Sequence, residues 1–258
     1  MPKADAAGLA TLQRAHRLSI PFENLDVILG RGIAIDSARV FGKLVIGKRG
    51  GYCFEHNRLF GDALDALGFT ARPLLGRVWI NRPEAIPNRT HTLSLVTIDG
   101  QDWIADTGFG GSFCPPMPLA DGEEVAGPDG ARHRLARDPV FGWMLEREGH
   151  PLAENAPNDG WQKQYSFTLD EVFPADLEMG NWWTSTSPDS RFRQIRIASL
   201  VLPHGFASLM DRRYHRRAGE TATAGTIEDP RVYRMRMSLM FGIDLTTEEV
   251  AGLGLFEG

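Results

Sequence analysis

The stretch KRGGYCFEHN, residues 48–57, sets one of the chain's two cysteines between a Gly-Gly pair and the start of a helical pattern. In the following CFEHNRLFGDALDALGF, residues Phe60, Ala63, Leu64 and Leu67 recur at helical spacing, and Gly68 suits the residue that ends a helix. Cys53 is therefore expected at or just before a helix N-terminus. Gly50 and Gly51 allow a sharp turn and a close backbone approach there. A helix N-terminus favours the thiolate, the form in which cysteine is a nucleophile. Backbone N–H groups at the same place are suited to an acyl-transfer oxyanion.

A base and an orienting acid are expected further along. From about residue 70 the apolar period changes to two, and HTLSLVTIDGQDWIAD reads as a hairpin turning at Asp99-Gly100. With that turn, paired positions sum to 199, so Ile98 faces Gln101 and Leu93 faces Asp106. His91, Leu93, Asp106 and Gly108 then share one face. His91 and Asp106 become diagonal neighbours, with Cα atoms about 7–8 Å apart. A carboxylate beside an imidazole fixes its tautomer and stabilises the imidazolium. Cys53, His91 and Asp106 thus supply nucleophile, base and orienter, provided no bulge shifts the register.

Plainer readings stand beside this one. A cysteine at a helix start is more often an inert packed residue, and single histidines and aspartates on strands are usually structural. Cys53 and His56 have the spacing of half a zinc site, but no partner pair accompanies them, and His56 reads as a helix-surface residue. Cys114, before Pro115-Pro116, reads as a bystander.

The chain has 258 residues, 42% hydrophobic and 24% charged, as in ordinary globular proteins, and its length suits one large domain or two to three packed subdomains. A net charge of −5 and a pI near 5.8 argue against a nucleic-acid partner. No apolar run approaches the roughly 18 residues of a membrane span, and the N-terminus lacks the secretory pattern. Two cysteines make no disulfide framework, so a reducing cytoplasm is the expected compartment. Of the 28 basic residues 24 are Arg, a compositional bias.

The order of patterns is helices, then β, then α/β. DAAGLATLQRAHRLS puts Leu9, Leu12 and His16 on one helical face, and IDSARVFGKLVIG starts with a possible Asp36 or Ser37 cap. ARPLLGRVWI, RQIRIASLVL and FASLMDRRYH read as strands, and a loop-rich β region continues through 140–170. DPRVYRMRMSLMFG reads as a helix capped by Asp229, with Pro230 first and Gly242 as its stop.

These residues resemble those of the arylamine N-acetyltransferases. The matching pieces are IPFENLD (20–26), KLVIGKRGGYCFEHN (43–57), THTLSLV (90–96) and DTGFGG (106–111), with weaker matches in TSTSPDSRF (184–192) and the C-terminal LMFGI. The resemblance implies an α+β fold: an N-terminal helical bundle, a central β-barrel and a C-terminal α/β lid around a papain/transglutaminase-like active site. The corresponding boundaries are 1–70, 71–175 and 176–258. It implies that acetyl-CoA acetylates Cys53, with His91 as base and Asp106 orienting it. The acetyl group then passes to an arylamine, arylhydrazine or N-hydroxyarylamine in a ping-pong cycle.

The resemblance also places Phe109 at the acceptor pocket and Gly110 and Gly111 close to the coenzyme, and it implies no metal. Glu23 and Arg49 are expected to pair beneath the site. The basic run DRRYHRR (211–217) reads as a solvated strand edge, and Trp182 and Trp183 as core. Family members ordinarily carry a further helical segment, with a Tyr and an Arg-Ile pair, ahead of the part matching residues 8–26. Here about 15 residues precede His16, which bears on the closure of the bundle, the pocket wall and the choice between monomer and homodimer.

Three other readings use the same residues. An amide synthase would take a carrier-bound acyl thioester, a thiol hydrolase would use water as acceptor, and a non-catalytic module would only bind aromatic ligands.

Overall fold

The computed structural model describes residues 1–80, 85–111, 113–128, 130–149 and 160–256. The first part is helical: α1 (Ala6–Ser19), a short strand β1 (Phe22–Glu23), α2 (Leu25–Ile28), α3 (Ser37–Phe41) and α4 (Cys53–Ala66). Asp5 caps α1 through the Gly8 amide, and Asp36 caps α3 through the Arg39 amide. The helix expected over IDSARVFGKLVIG widens after α3 into a π-helical turn, Gly42–Ile46. The buried face of α1 holds Leu9 with Gln13 and Arg17, whereas Leu12 and His16 are only half-buried.

The barrel strands follow: β2 (Thr70–Val78), β3 (Arg89–Ile98), β4 (Gln101–Ala105), β5 (Met117–Pro118), β6 (Glu124–Ala126), β7 (Arg132–Asp138), β8 (Gly142–Glu148) and β9 (Trp161–Phe167). They form one antiparallel sheet in the order β5-β4-β3-β2-β9-β8-β7-β6, curled into a near-closed barrel. The segment between β5 and β6 passes from one edge to the other: the Leu119 amide bonds Asp102 O, and the Gly122 amide bonds Leu135 O. Part of the β region expected over 140–170, residues 150–159, lies outside the described residues. Leu74, Leu93, Leu95, Ile104, Leu145 and Tyr165 fill the barrel. On the other face of β3, Val96 packs against Leu9, Phe60 and Leu64 of the helices. The period of two divides barrel core from helix interface.

The β3–β4 hairpin has the expected register, from Ser94↔Ala105 to Ile98↔Gln101. Its turn residues Asp99 and Gly100 have φ of 50° and 78°, the double left-handed conformation that suits the twist of a two-residue hairpin.

The last part comprises α5 (Pro174–Thr186), α6 (Arg191–Gln194), β10 (Ile197–Leu202), β11 (Gly205–Met210), β12 (Arg213–Ala218), β13 (Thr221–Thr226), α7 (Pro230–Phe241) and α8 (Thr247–Gly252). Its sheet runs β1-β10-β11-β12-β13, so the N-terminal β1 pairs with β10. α7 has the expected Asp229 cap, leading Pro230 and left-handed Gly242 at φ 67°. FASLMDRRYH is two strands rather than one, because Asp211 at φ 50° turns the chain between β11 and β12. The basic run lies on an inner strand, since β13 covers its other side. RQIRIASLVL begins in α6 and is strand only from Ile197. Trp182 is 64% exposed, not core.

Beneath α4 the buried Glu23 carboxylate is held as the sequence suggests. Its Oε1 accepts from Nε and Nη2 of Arg49 at 3.1 and 2.9 Å, and its Oε2 accepts the Leu25 amide at 2.8 Å. Both arginine bonds converge on one oxygen because the backbone takes the other. Arg49 and Lys43 also reach Asp26, and Lys43 reaches Glu55 of α4 at 2.7 Å. Removing one partner of a buried pair leaves an uncompensated charge. Arg49→Met is therefore expected to lower stability by about 3 kcal/mol. Urea unfolding measures this, and a loss below about 1 kcal/mol would show that Glu23 does not depend on Arg49.

Candidate active site

Cys53 is the first residue of α4 and is 3% exposed. Backbone crowding makes the preceding glycines necessary. A Cβ at Gly50 would lie 2.3 Å from Pro21 O, and one at Gly51 would lie 2.6 Å from Glu55 Oε2. The left-handed residue of the turn is Lys48, at φ 51°, rather than either glycine. The Tyr52 amide at the helix start donates to Glu55 Oε2 at 3.0 Å, so this N–H is already engaged. Burial pushes the Glu55 carboxyl up to about 7, against the pull of Lys43.

Cys53, His91 and Asp106 converge. His91 Nε2 lies 2.7 Å from Asp106 Oδ2, and both side chains are buried. Cys53 lies close enough to the imidazole to favour its charged form, and with Nε2 engaged by Asp106 the free ring nitrogen is Nδ1. Cys53 Sγ lies 3.6 Å from Thr90 O as well. Burial alone would depress the imidazolium of His91, but the Asp106 carboxylate outweighs burial and, with the Cys53 contact, raises it to about 10. Asp106 is held below the usual carboxylate range: burial opposes ionisation, and the His91 charge and hydrogen bonds from His91, Asn57 and the Gly108 amide overcome it.

The spacing argument missed several residues around the carboxylate. Asn57, one turn along α4 from Cys53, donates to Thr92 O at 2.6 Å and to Asp106 Oδ1 at 3.1 Å, and accepts from the Thr107 amide at 3.2 Å. It joins the helix of Cys53 to both arms of the hairpin. Its signal was the i, i+4 spacing from Cys53, which puts both on one helical face. The ring of Tyr165 of β9 lies 4.8 Å from that of His91, and its side chain shares a small cavity with Asp106. From α1, Gln13 donates to Asp106 O at 3.1 Å and to Cys114 O at 2.7 Å. Arg17 donates to Thr107 O at 3.1 Å and to Gly111 O at 2.9 Å. Polar residues at i and i+4 on an otherwise apolar face were the signal here.

Phe109 is half-buried and meets His91 edge to face, with ring centroids 5.3 Å apart. Phe22 and Tyr52 pack with Cys53 in one apolar cluster, to which Phe192 of α6 is joined. Gly108 is required by contact, since a Cβ there would lie 2.6 Å from Cys53 Cα. Gly110 is required by Phe22, whose ring would lie 2.7 Å from the added carbon. Gly111 has room for a Cβ and contributes its carbonyl to Arg17. Cys114 contacts Met117 beside the site.

His56 is fully buried, contrary to the surface position read from the sequence. It lies three residues after Cys53, and its ring stacks under Phe22. Its Nε2–H donates to Pro21 O at 3.1 Å, so its Nδ1 accepts from His16 Nε2–H at 2.8 Å. Both nitrogens are engaged, and no metal-holding group of three or more His, Cys, Asp or Glu occurs among the described residues.

The N-acetyltransferase family model matches residues 5–250. An arylamine N-acetyltransferase / N-hydroxyarylamine O-acetyltransferase of Salmonella typhimurium is 37% identical over 241 residues, covering 91% of this chain and 81% of that protein. An arylamine N-acetyltransferase of Escherichia coli is 41% identical over 198 residues, covering 76% and 67%. Among solved structures, the Salmonella typhimurium enzyme superposes with a TM-score of 0.90 at 34% identity, covering 99% and 94%. A Mycobacterium marinum arylamine N-acetyltransferase in complex with CoA gives 0.89 at 28% identity, covering 100% and 96%. The match defines an N-acetyltransferase of α+β fold. Within that class the chain belongs to the arylamine N-acetyltransferase family.

Two outcomes follow from this geometry. Gly108→Ala forces a carbon into the Cys53 backbone and is expected to cost at least about 100-fold in kcat/KM, because small displacements at a reacting centre are that costly. Activity within about threefold of the parent would show that the loop yields.

The second outcome concerns pH. Burial lowers His56 to about 3, helped by Arg17, and lowers His133 to about 3, helped by Arg147. A base with a depressed folded pKa is stabilising above its unfolded value near 6.5, and that contribution is lost as pH falls toward 3. Glu55 acts oppositely between its ordinary value of 4.5 and about 7, because the folded state there holds the extra proton. His91, raised to about 10, loses its contribution only on the alkaline side. Burial likewise holds His16, the partner ring of His56, well below its ordinary value. Three histidines outweigh one carboxyl, so urea unfolding is expected to show stability falling by about 2 kcal/mol per pH unit between about pH 6 and 5. A flat profile there would mean that these rings are charged in the fold.

Proposed function

We propose that the protein transfers an acetyl group from acetyl-CoA to arylamines, arylhydrazines or N-hydroxyarylamines, with Cys53 as the carrier. The observation behind this reading is the His91–Asp106 pair, with Cys53 at the start of α4 near enough to the imidazole to favour its charged form. In the first half-reaction the Sγ proton already stands on His91 Nδ1, and the Sγ thiolate adds to the thioester carbonyl carbon. The carbon–sulfur bond to the coenzyme breaks, and the coenzyme leaves as its thiol with that proton. In the second half-reaction the acceptor nitrogen attacks the acetyl-cysteine and gives up a proton through His91. The amide leaves, and Cys53 is regenerated. Asp106 holds the Nε2–H tautomer and balances the imidazolium throughout.

Phe109 forms the acceptor wall on this reading, with the Phe22 and Phe192 rings nearby. Gly110 and Gly111 border the coenzyme path. The division into residues 1–70, 71–175 and 176–258 is supported by the change from helices to the barrel to the second sheet, with β1 crossing into that sheet. A cytoplasmic enzyme acting on foreign aromatic amines fits two cysteines that form no disulfide.

Intact-mass measurement after mixing with acetyl-CoA tests the proposal. One acetyl adduct is expected, absent in Cys53→Ala and removed on adding an aminosalicylate. No adduct on folded, reduced protein would redirect the assignment to a different acyl thioester. Loss of the adduct without any amine would point to hydrolysis.

A further inference from the structure

α1 sends a charged side chain into the interior for which the reaction steps above have no use. Arg17 is 4% exposed, and its two terminal nitrogens are spent on the Thr107 and Gly111 carbonyls. Its Nε is buried without a hydrogen-bond partner. Among the described residues it forms no ion pair with a carboxylate. A buried guanidinium without an acidic partner is costly, and two carbonyl contacts could be supplied by a neutral amide. The charge itself therefore needs a reason.

The reason lies across a small cavity that Arg17 lines together with Asp106, Phe109 and Tyr165. Burial lowers the guanidinium to about 10, with Asp106 pulling the other way, so it stays cationic at neutral pH. The groups facing the Asp106 carboxylate are His91 of β3, His56 and Asn57 of α4, the Gly108 amide, Tyr165 of β9 and Arg17 of α1. Cys114 and, from β7, His133 line the same cavity, and burial keeps His133 neutral. His56 and its partner His16 are neutral, because burial and the nearby cation keep protons off them. In the reactive form Cys53 is a thiolate, His91 an imidazolium and Asp106 a carboxylate. That group carries one net negative charge in a water-poor interior. Arg17 supplies one positive charge that no pH change near neutrality removes.

We propose that Arg17 is a positioning residue for acetyl transfer: the buried countercharge of the Cys53–His91–Asp106 group, holding its carboxylate-bearing loop by two carbonyls. The inference rests on the catalytic reading of those three residues. It separates two functions of one side chain, a mechanical grip on residues 107 and 111 and an electrostatic contribution to the ionised site.

Alkylation of Cys53 by iodoacetamide as a function of pH tests the electrostatic part without any acetyl donor. Peptide mass mapping keeps Cys114 apart. Arg17→Gln retains an N–H donor and loses the charge, Arg17→Met loses both, and Arg17→Lys keeps the charge. Without the cation a further negative charge forms less readily. The ascending limb is expected to move up by about one pH unit in Arg17→Gln and Arg17→Met, and to stay in place in Arg17→Lys.

Limbs that coincide in the parent, Arg17→Gln and Arg17→Lys would overturn the countercharge and leave only the grip. Should Arg17→Met fail to fold, the comparison of Arg17→Gln with Arg17→Lys still decides. A shifted limb in a protein that forms no acetyl adduct would keep the countercharge and overturn the acetyl-transfer reading instead.

Discussion

A single buried carboxylate organises this protein. Asp106 follows the last residue of β4 and is almost wholly removed from water, a position that an isolated charge cannot hold at reasonable cost. The surroundings answer that cost with His91, Asn57 and the Gly108 amide. Each comes from a different place: β3, α4 and the loop after β4. Satisfying one anion therefore fixes how the helix of Cys53 and the hairpin of the barrel meet. The convergence of Cys53, His91 and Asp106 and the packing of helix on barrel are one constraint seen from two sides.

The loop from Asp106 to Cys114 carries this constraint outward. It has two glycines where any Cβ would collide, against the Cys53 backbone and the Phe22 ring. Gln13 and Arg17 grip its carbonyls from α1, and Ser199 Oγ donates to Gly110 O from the second sheet at 2.8 Å. The loop is thus held by the helical part, the barrel and the C-terminal sheet together. The ion-pair network of Glu23, Asp26, Lys43 and Arg49 does the same beneath α4, and Arg31 extends it to Glu249 of α8 at 2.7 Å. Residues far apart in sequence depend on each other for charge compensation, and this ties the helices, the barrel and the C-terminal elements together around Cys53, His91 and Asp106.

Much of this was legible in the chain, and the legible parts share a physical character. The Asp99-Gly100 turn, the strict alternation along β3 and the Asp229-Pro230 start of α7 are local signals, and each was realised. The misreadings share a character too. FASLMDRRYH looked continuous because Asp211 can take a left-handed conformation that glycine would have announced. His56 looked exposed because its polarity suggested water, whereas Pro21 O and His16 satisfy both ring nitrogens inside. Trp182 looked buried because of its size, yet its side of α5 faces outward.

The sequence by itself determined the local elements, the hairpin register and hence the neighbourhood of His91 and Asp106, because these follow from dihedral preferences and a period of two. Its motifs also determined the family. Tertiary structure alone decided which polar residues would be buried. Asn57, Gln13, Arg17 and Tyr165 are ordinary surface-compatible types, and the i, i+4 spacing of the helical ones marks a shared face without saying what that face will meet. They are interior because a buried carboxylate and the carbonyls of a strained-for-space loop need donors. Only the folded chain brings donor and acceptor together across intervals such as the 94 residues between Arg17 and Gly111.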